Sequence, residues 1–253
     1  MQGFEGKTAL VTGAASGIGA ACARWLDAQG IEQLYLVDLD RAGLAGLDLS
    51  CAAERIAGDV ADPDFWRELE GGIDRLDHAV INAGIAGGGP LVEQQFEQWR
   101  KIMSVNLDGA FLTLATALRL IARGGCGGSI VMLSSVTALK PMAGTSAYAT
   151  SKAGIAHLAR IAALESASAG IRVNAVAPGG VDTPIWDKQE WFGDVVTALG
   201  SREAAMESMA KDSVPSGRFA SADEIAGAIG FLLSDAAANI TGVVLSSDGG
   251  SAL

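Results

Sequence analysis

Short apolar runs alternate with longer amphipathic stretches along this chain. The apolar runs are nearly continuous, a pattern typical of strands whose sheet is covered by helices on both faces. Seven of these runs predict strands, at positions 8–11, 33–37, 55–57, 78–82, 129–134, 171–177 and 243–246.

Stretches with helical periodicity lie between most of these runs. They predict helices at 18–29, 96–122, 146–168 and 222–233, whereas the segment 184–217 is more polar and is predicted to be irregular. The alternation of strand and helix predicts an α/β fold, with a doubly wound parallel sheet of the Rossmann type and helices on both faces. No linker or repeat interrupts it, so we expect one domain over residues 1–253, with 184–217 as a cap segment.

Composition narrows the classes of function. Of the 253 residues, 49% are hydrophobic and 19% are charged, which argues against disorder. The chain has 18 basic and 29 acidic residues and a net charge of −11, so its surface repels phosphate backbones and we expect no nucleic-acid partner. The same charge makes an acidic carrier protein a less natural docking partner.

Cysteine usage and the start of the chain bear on the compartment. Cys22, Cys51 and Cys126 form no CxxC pair, so neither a disulfide framework nor a zinc site is indicated, and we expect no metal. The chain starts without a basic region followed by an apolar stretch, and no uninterrupted apolar run is long enough to span a bilayer. We therefore expect a cytoplasmic protein with no membrane partner.

A glycine-rich turn at 12–19 joins the first predicted strand to the first predicted helix. Its glycines are Gly13, Gly17 and Gly19, and Ser16 and Ile18 lie between them. Such glycines let a pyrophosphate approach the helix N-terminus, where free N–H groups and the helix dipole hold negative charge. The spacing differs from GxGxxG, and a turn without a ligand is the alternative. Its place after the first strand of a β-α-β unit favours a dinucleotide site.

Asp38 ends the second predicted strand, about where a contact to the adenosine ribose is expected. A carboxylate there accepts hydrogen bonds from both ribose hydroxyls of NAD and repels the 2′-phosphate of NADP. An NADP site would want a basic residue close by, but the next residue is Leu39, and Arg41 lies three positions on. We predict NAD as the cofactor; the alternative role for Asp38 is an ordinary helix N-cap.

Two further groups of residues follow predicted strands. Asp59 and Val60 come after the third strand, where the adenine edge should lie, and Asn82, Ala83 and Gly84 come after the fourth. Each group alone is a weak signal, because Asp and Asn-x-Gly are common in turns. All of them fall at the carboxyl ends of strands, the edge where open α/β sheets bind ligands.

Four residues form a candidate catalytic group. Tyr148 and Lys152 are four residues apart on one face of a predicted helix, Ser135 closes the fifth strand, and Asn106 lies in the long helix before it. A tyrosine ionises near pH ~10, and a nearby ammonium together with a positive nicotinamide ring would lower that pKa.

Each member of this group has a predicted role. Tyr148 would exchange a proton with the substrate oxygen, and Ser135 would hydrogen-bond that oxygen. Lys152 would lower the pKa of the phenol and bind the nicotinamide ribose, while Asn106 would hold a water that links Lys152 to solvent. A Tyr-x-x-x-Lys pair alone is often a chance occurrence; the upstream serine and glycine turn make it specific.

Together these motifs resemble those of the short-chain dehydrogenase/reductase family, in order and spacing, over essentially the whole chain. The matching segments are Thr12-Gly13-x-x-x-Gly17-x-Gly19, Asn82-Ala83-Gly84, Asn106, Ser135, Tyr148-x-x-x-Lys152, Pro178-Gly179, 240–242 and 248–250.

The resemblance implies further properties. Ile18 would contact the pyrophosphate region, Val181 and Thr183 the nicotinamide carboxamide, and the assembly would be a homotetramer, often with paired long helices at one interface. Ile81 departs from the pattern, since many relatives have a second Asn there, and we expect no loss of activity from it.

The substrate pocket is expected to form from residues after Ser135, residues near Tyr148 and the segment after Thr183. Their apolar and aromatic character suggests a neutral small molecule with a hydrophobic body. The alternative is that Trp191 and Phe192 only pack a lid helix onto the core. The further members of this predicted pocket are Leu139, Met142, Thr145, Trp186, Trp191 and Phe192.

Three functions are compatible with these residues. The first is an NAD-dependent oxidoreductase that interconverts a secondary alcohol and a ketone. The second is a 3-oxoacyl-thioester reductase, against which Asp38 and the acidic charge argue. The third is a non-catalytic NAD(H)-binding regulator, against which the complete set of Asn106, Ser135, Tyr148 and Lys152 argues.

Overall fold

The computed structural model describes residues 3–253. Met1 and Gln2, the first residues of the N-terminal stretch considered above, lie outside the described residues. Nine strands are formed in this part of the chain. They are β1 (Thr8–Thr12), β2 (Gln33–Asp38), β3 (Ala52–Ala57), β4 (His78–Ile81), β5 (Gly128–Leu133), β6 (Ile171–Pro178), β7 (Val181–Asp182), β8 (Ala220–Ser221) and β9 (Val244–Ser247).

Seven of these strands make one parallel sheet in the order β3-β2-β1-β4-β5-β6-β9. The strand order reverses between β1 and β4, so a crevice opens there at the carboxyl edge, where doubly wound sheets bind ligands. The predicted Rossmann-type fold is confirmed. The short pair β7–β8 forms a separate two-stranded sheet beyond this edge.

Nine α-helices connect the strands within the described residues. They are α1 (Gly17–Ala28), α2 (Arg41–Ala45), α3 (Pro63–Gly72), α4 (Phe96–Met103), α5 (Gly109–Gly124), α6 (Ser146–Ser166), α7 (Glu190–Leu199), α8 (Arg202–Ser213) and α9 (Ala222–Leu233). One turn of π-helix, Ser104–Asp108, joins α4 to α5, so the long helix predicted at 96–122 is continuous but carries a wide turn.

Apolar side chains fill both faces of the sheet. On one face α1 and α9 pack together, and Leu26 and Ile229 belong to the same buried cluster as Leu34 of β2. On the other face α3, α5 and α6 cover the sheet, with Leu120 and Ile155 in the second cluster. Burial from both sides explains why the strands are nearly continuous apolar runs.

The prediction that 184–217 is irregular is wrong, because this segment forms α7 and α8. Ser201 caps α8 by accepting a hydrogen bond from the N–H of Ala204 at 3.1 Å, and Gly200 ends α7 in the left-handed region at φ 85°. The two helices enclose a small core of their own around Phe192 and Met206. We call residues 184–217 the cap segment.

Within residues 3–253, one helical run is long and apolar enough to cross a membrane, by length and composition only, although no spanning segment was expected from the sequence. This run, Phe96–Gly124, has 29 residues and a mean hydropathy of 1.4 in its most apolar window, half of which is buried. Within the fold it packs against α3, α6 and β4, as the core helices of α/β proteins do.

Candidate functional site

The glycine turn between β1 and α1 leaves the helix N-terminus open. Ser16 is the N-cap residue but makes no capping hydrogen bond, and its side chain is exposed. Gly13 and Gly17 have φ of 66° and 53°, values that favour glycine. A Cβ at Gly19 would overlap the carbonyl of Gly13, so α1 starts in direct backbone contact with the turn. This open N-terminus fits a pyrophosphate, and Ile18 lies in its first turn.

Thr12 and Asn82 fix this turn to the end of β4. The side-chain amide of Asn82 donates to the carbonyls of Thr12 and Gly13 at 3.0 and 3.1 Å. The hydroxyl of Thr12 accepts from the N–H groups of Asn82 and Ala83 at 3.1 and 3.2 Å. The residues predicted from two separate motifs therefore form one hydrogen-bonded unit at the switch point.

The carboxylate of Asp38 lies beside the glycine turn. One oxygen accepts from the N–H of Ala15 at 3.0 Å, and the other accepts from the N–H of Asp40 at 2.9 Å. The alternative role for Asp38 as a helix N-cap does not hold, because the N-cap of α2 is Asp40, whose side chain accepts from Gly43 at 3.0 Å. Leu39 beside it is exposed.

The residues after β3 form a turn at the same edge of the sheet. Asp59 is exposed and its side chain accepts from the N–H of Ala61 at 2.9 Å. Val60 is buried, and its carbonyl accepts a hydrogen bond from the indole of Trp66 at 2.8 Å. This geometry accounts for the turn itself, and their contact with an adenine stays a prediction.

Ser135, Tyr148 and Lys152 meet at the carboxyl end of β5. The phenol of Tyr148 lies near the hydroxyl of Ser135, which lowers the pKa of the phenol. The ammonium of Lys152 lies 5.7 Å from the centre of the Tyr148 ring and donates to the carbonyl of Leu133 at 2.7 Å. The hydroxyl of Ser135 also accepts from the N–H of Thr137 at 3.2 Å, so its direction is fixed.

Burial sets the protonation of this group. It raises the pKa of Tyr148 above its usual value, and the nearby hydroxyl of Ser135 acts in the opposite direction. Burial lowers the pKa of Lys152 to about 8. Without a bound cofactor, the phenol of Tyr148 is therefore protonated and uncharged at pH 7. Lowering of its pKa by Lys152 and a positive nicotinamide ring stays a prediction.

Asn106 lies in the π-helical turn and is fully buried. Its side-chain oxygen accepts from the N–H of Ile85 at 2.8 Å, and its amide donates to the carbonyl of Ile85 at 3.0 Å and to Ser151 at 3.1 Å. A Cβ built at Gly84 would lie 3.2 Å from the Asn106 oxygen and 3.5 Å from the Lys152 nitrogen. Asn106 thus holds the loop after β4 beside Lys152; its water stays a prediction.

The segment after β6 approaches the glycine turn from the other side. The N–H of Gly179, which follows Pro178, donates to the carbonyl of Ser247 at 3.2 Å. Val181 and Thr183 are both buried. A Cβ built at Gly17 would lie 3.3 Å from the Cβ of Thr183, so the turn after β7 lies directly over the glycine turn.

The predicted substrate residues fall into two groups. Leu139 and Met142 are exposed on the segment that follows Ser135, and Thr145 donates to the carbonyl of Met142 at 2.8 Å. In the cap segment Trp191 is half exposed, whereas Phe192 has only 2% of its surface exposed and packs inside the cap. The packing role described for Phe192 is therefore observed, and substrate contact by either group stays a prediction.

Trp186 anchors the cap segment. Its indole donates to the carbonyl of Val181 at 2.8 Å, and its ring stacks on Phe219 at 5.7 Å between centroids. A side chain at Gly180 would overlap the ring of Phe219. Sequence reasoning missed Phe219, and it also missed Ser151 and the carbonyl of Leu133, because none of the three falls in a recognised motif.

Comparison with known proteins agrees with this geometry. A family model described as enoyl-(acyl carrier protein) reductase matches residues 13–252. A cis-4-hydroxycyclohexanecarboxylate dehydrogenase of Sinomonas cyclohexanicum is 39% identical, over 98% of this chain and 98% of the relative. A D-threitol dehydrogenase of Mycolicibacterium smegmatis is 37% identical, over 98% of this chain and 93% of the relative.

A solved structure gives the same result for the fold. It is a 3-ketoacyl-(acyl-carrier-protein) reductase from Brucella melitensis complexed with NADH, with a TM-score of 0.87 and 28% identity over 99% of this chain and 100% of that one. The glycine turn, the Ser135–Tyr148–Lys152 group and whole-length similarity to dehydrogenases lead to one conclusion. The chain belongs to the short-chain dehydrogenase/reductase family and is an oxidoreductase that acts on CH–OH groups.

Proposed function

We propose that this protein is an NAD(H)-preferring oxidoreductase that interconverts a neutral, hydrophobic secondary alcohol and its ketone. The single observation that carries the proposal is the meeting of Ser135, Tyr148 and Lys152 at the carboxyl end of β5. This group lies at the same sheet edge as the open N-terminus of α1, so a dinucleotide bound there reaches the acid–base group.

The choice of NAD over NADP rests on Asp38. Its carboxylate is partly exposed and already orients the glycine turn through the N–H of Ala15. A negative charge at this point repels a 2′-phosphate, whereas ribose hydroxyls donate hydrogen bonds to it. Leu39 offers the phosphate no counter-charge.

The residues of the site divide the chemistry among them. Bound NAD supplies the hydride acceptor at the substrate carbon. Tyr148 takes the hydroxyl proton in oxidation and returns it in reduction, and Ser135 donates a hydrogen bond to the substrate oxygen. Lys152 favours the phenolate and binds the nicotinamide ribose. Asn106 keeps the loop after β4 in place and holds the relay water.

The exposed apolar side chains of Leu139 and Met142, on the segment that follows Ser135, support a hydrophobic substrate. The names of the two relatives describe a cyclic hydroxy acid and a polyol, so charged and polar alcohols belong in the same assay.

A 3-oxoacyl-thioester reductase is the second candidate. The Brucella structure, a 3-ketoacyl-(acyl-carrier-protein) reductase, favours it. The net charge of −11 favours the first candidate because it repels an acidic carrier protein. The carboxylate of Asp38 favours it because it repels the 2′-phosphate of NADPH.

We also propose a cytoplasmic homotetramer that binds neither nucleic acid nor membrane. Exposed apolar side chains on α5 and α6, among them Phe111, Ile161 and Leu164, support burial of these helices between subunits. Light scattering after size exclusion measures the assembly, and a monomer at micromolar concentration would contradict it.

The test of function is NADH formation across a panel of secondary alcohols. The panel includes neutral cyclic alcohols, a hydroxy acid, a polyol and a 3-hydroxyacyl thioester, each with NAD⁺ and with NADP⁺. We expect the best kcat/KM for a neutral cyclic alcohol with NAD⁺. A clear preference for the thioester, or for NADP⁺, would contradict the proposal.

A further inference from the structure

Arg202, the first residue of α8, reaches back across the cap segment to the turn that follows β7. Its Nη1 donates to Asp182 at 2.7 Å, its Nε to Asp187 at 2.8 Å and its Nη2 to the carbonyl of Thr183 at 3.2 Å. The guanidinium also lies 6.0 Å from the centre of the Phe192 ring. One side chain therefore joins the end of β7, the following turn, α7 and α8.

The turn that Arg202 holds is the one that lies over the glycine turn. Thr183 lies close to Gly17 at the open N-terminus of α1: a Cβ built at Gly17 would be 3.3 Å from the Cβ of Thr183. A dinucleotide with its pyrophosphate at that N-terminus would lie beneath this turn. The position of the Thr183 turn would then affect how easily a bound dinucleotide leaves.

Two anchors of different kinds fix this turn. Trp186 holds it through an apolar stack on Phe219 and a hydrogen bond to Val181, contacts that persist in salt. Arg202 holds it through ion pairs whose side chains are 32% exposed for the arginine, 54% for Asp182 and 47% for Asp187. Exposed ion pairs are individually weak and are screened by salt, so the Arg202 contacts are the ones that open readily.

We propose that Arg202 is a positioning residue for the dinucleotide: by holding Asp182, Asp187 and the Thr183 carbonyl together, it closes the turn over the cofactor and slows cofactor release. This inference rests on the proposed function, because it assumes that NAD(H) binds at the glycine turn. The planar guanidinium suits the task, since its donors reach three acceptors on different segments at once, and a lysine ammonium does not offer that fork.

The test measures the rate at which NADH leaves the full-length protein, by stopped-flow fluorescence with NAD⁺ as the displacing ligand. We expect Arg202→Gln to raise the off-rate of NADH about threefold to tenfold, with a matching rise in Kd. Arg202→Lys should give a smaller increase. In about 0.5 M NaCl the wild-type off-rate should approach that of Arg202→Gln, whose own off-rate should change little.

Arg119→Gln is the matched control. Arg119 of α5 pairs with Glu70 of α3 at the surface, away from the cap segment. Its Nε and Nη2 donate to the same oxygen of Glu70 at 2.9 and 2.6 Å. The off-rate of NADH from Arg119→Gln should stay within about twofold of wild type.

The outcomes separate the two proposals. An unchanged off-rate in Arg202→Gln, or an equal rise in Arg119→Gln, overturns the role of Arg202. Absence of NADH binding to the wild-type protein overturns the proposed function instead. If kcat rises together with the KM for NAD⁺ in Arg202→Gln, cofactor release limits turnover, and the role of Arg202 is supported.

Discussion

Mild acid should destabilise this protein through one buried histidine, His78 at the start of β4. Its Nδ1 lies 2.8 Å from the hydroxyl of Ser129, and that hydroxyl donates its only hydrogen to the carbonyl of Leu233 at 2.8 Å. The Nδ1 atom therefore carries the proton of the neutral ring. The Nε2 atom is buried, has no hydrogen-bond partner among the described residues, and the ring packs beside Phe4.

Protonation of Nε2 would bury a positive charge and an N–H group that has no hydrogen-bond acceptor. Burial is the main reason that the pKa of His78 falls from 6.5 to about 4. Lys7 and Arg172 lower this pKa further, and Asp77 and Asp235 oppose them.

The magnitude follows from the difference between the folded and unfolded pKa. Above pH 6.5 the ring is neutral in both states and stability is unaffected. As the pH falls from 6.5 towards 4, the imidazole is protonated in the unfolded chain but stays neutral in the folded chain, so the folded state loses stability. At about 1.4 kcal/mol for each unit of pKa, the loss reaches ~2 kcal/mol near pH 5 and ~3 kcal/mol at the lower limit.

Urea unfolding at about pH 7.5 and about pH 5 measures this loss. We compare wild type with His78→Gln, which has no titrating ring, and with His157→Gln, which removes the exposed histidine of α6. Wild type and His157→Gln should lose ~2 kcal/mol more than His78→Gln over this interval. Because the comparison is between pH dependences, a uniform destabilisation of His78→Gln does not disturb it. Equal losses in all three proteins would refute the reasoning.

Three further predictions concern the site itself. Tyr148→Phe should lower kcat by about 10²–10⁴-fold with NADH affinity retained, measured by steady-state turnover and fluorescence titration; full activity would remove its assigned role. Asp38→Ser should raise kcat/KM with NADP⁺ relative to NAD⁺ by about tenfold or more, since it removes a repulsive charge, and an unchanged ratio would contradict the cofactor assignment. Gly19→Ala places a methyl group against the carbonyl of Gly13, so unfolding free energy should fall by about 1–3 kcal/mol, and an unchanged Tm would contradict the close packing.

Local patterns were sufficient to predict the parallel sheet and the residues at its carboxyl edge. A strand buried on both faces is an apolar run, so β1 can be predicted from the sequence. A turn that approaches a phosphate needs glycine, so the role of Gly13 can be predicted as well. Tyr148 and Lys152 were visible because their spacing matches the helical repeat.

The cap segment was not predictable in the same way. Polar residues such as Arg202 and Lys211 on α8 obscure its periodicity, and the helix gains its stability from contacts with Phe192 of α7. The bonds from Arg202 to Asp182 and Asp187 span 20 and 15 residues, so they exist only once α8 has folded back over the turn after β7.

The π-helical turn at Ser104–Asp108 shifts the phase of one continuous helix. Successive residues of an α-helix are rotated by about 100°, so one additional residue in a turn redirects everything that follows by that angle. Before the turn, α4 packs against α6, whereas after it α5 packs more extensively against β4 and α3 than against α6. A one-residue deletion within the turn would restore uniform pitch, swing one of these two faces into solvent and carry Asn106 away from the loop that it holds.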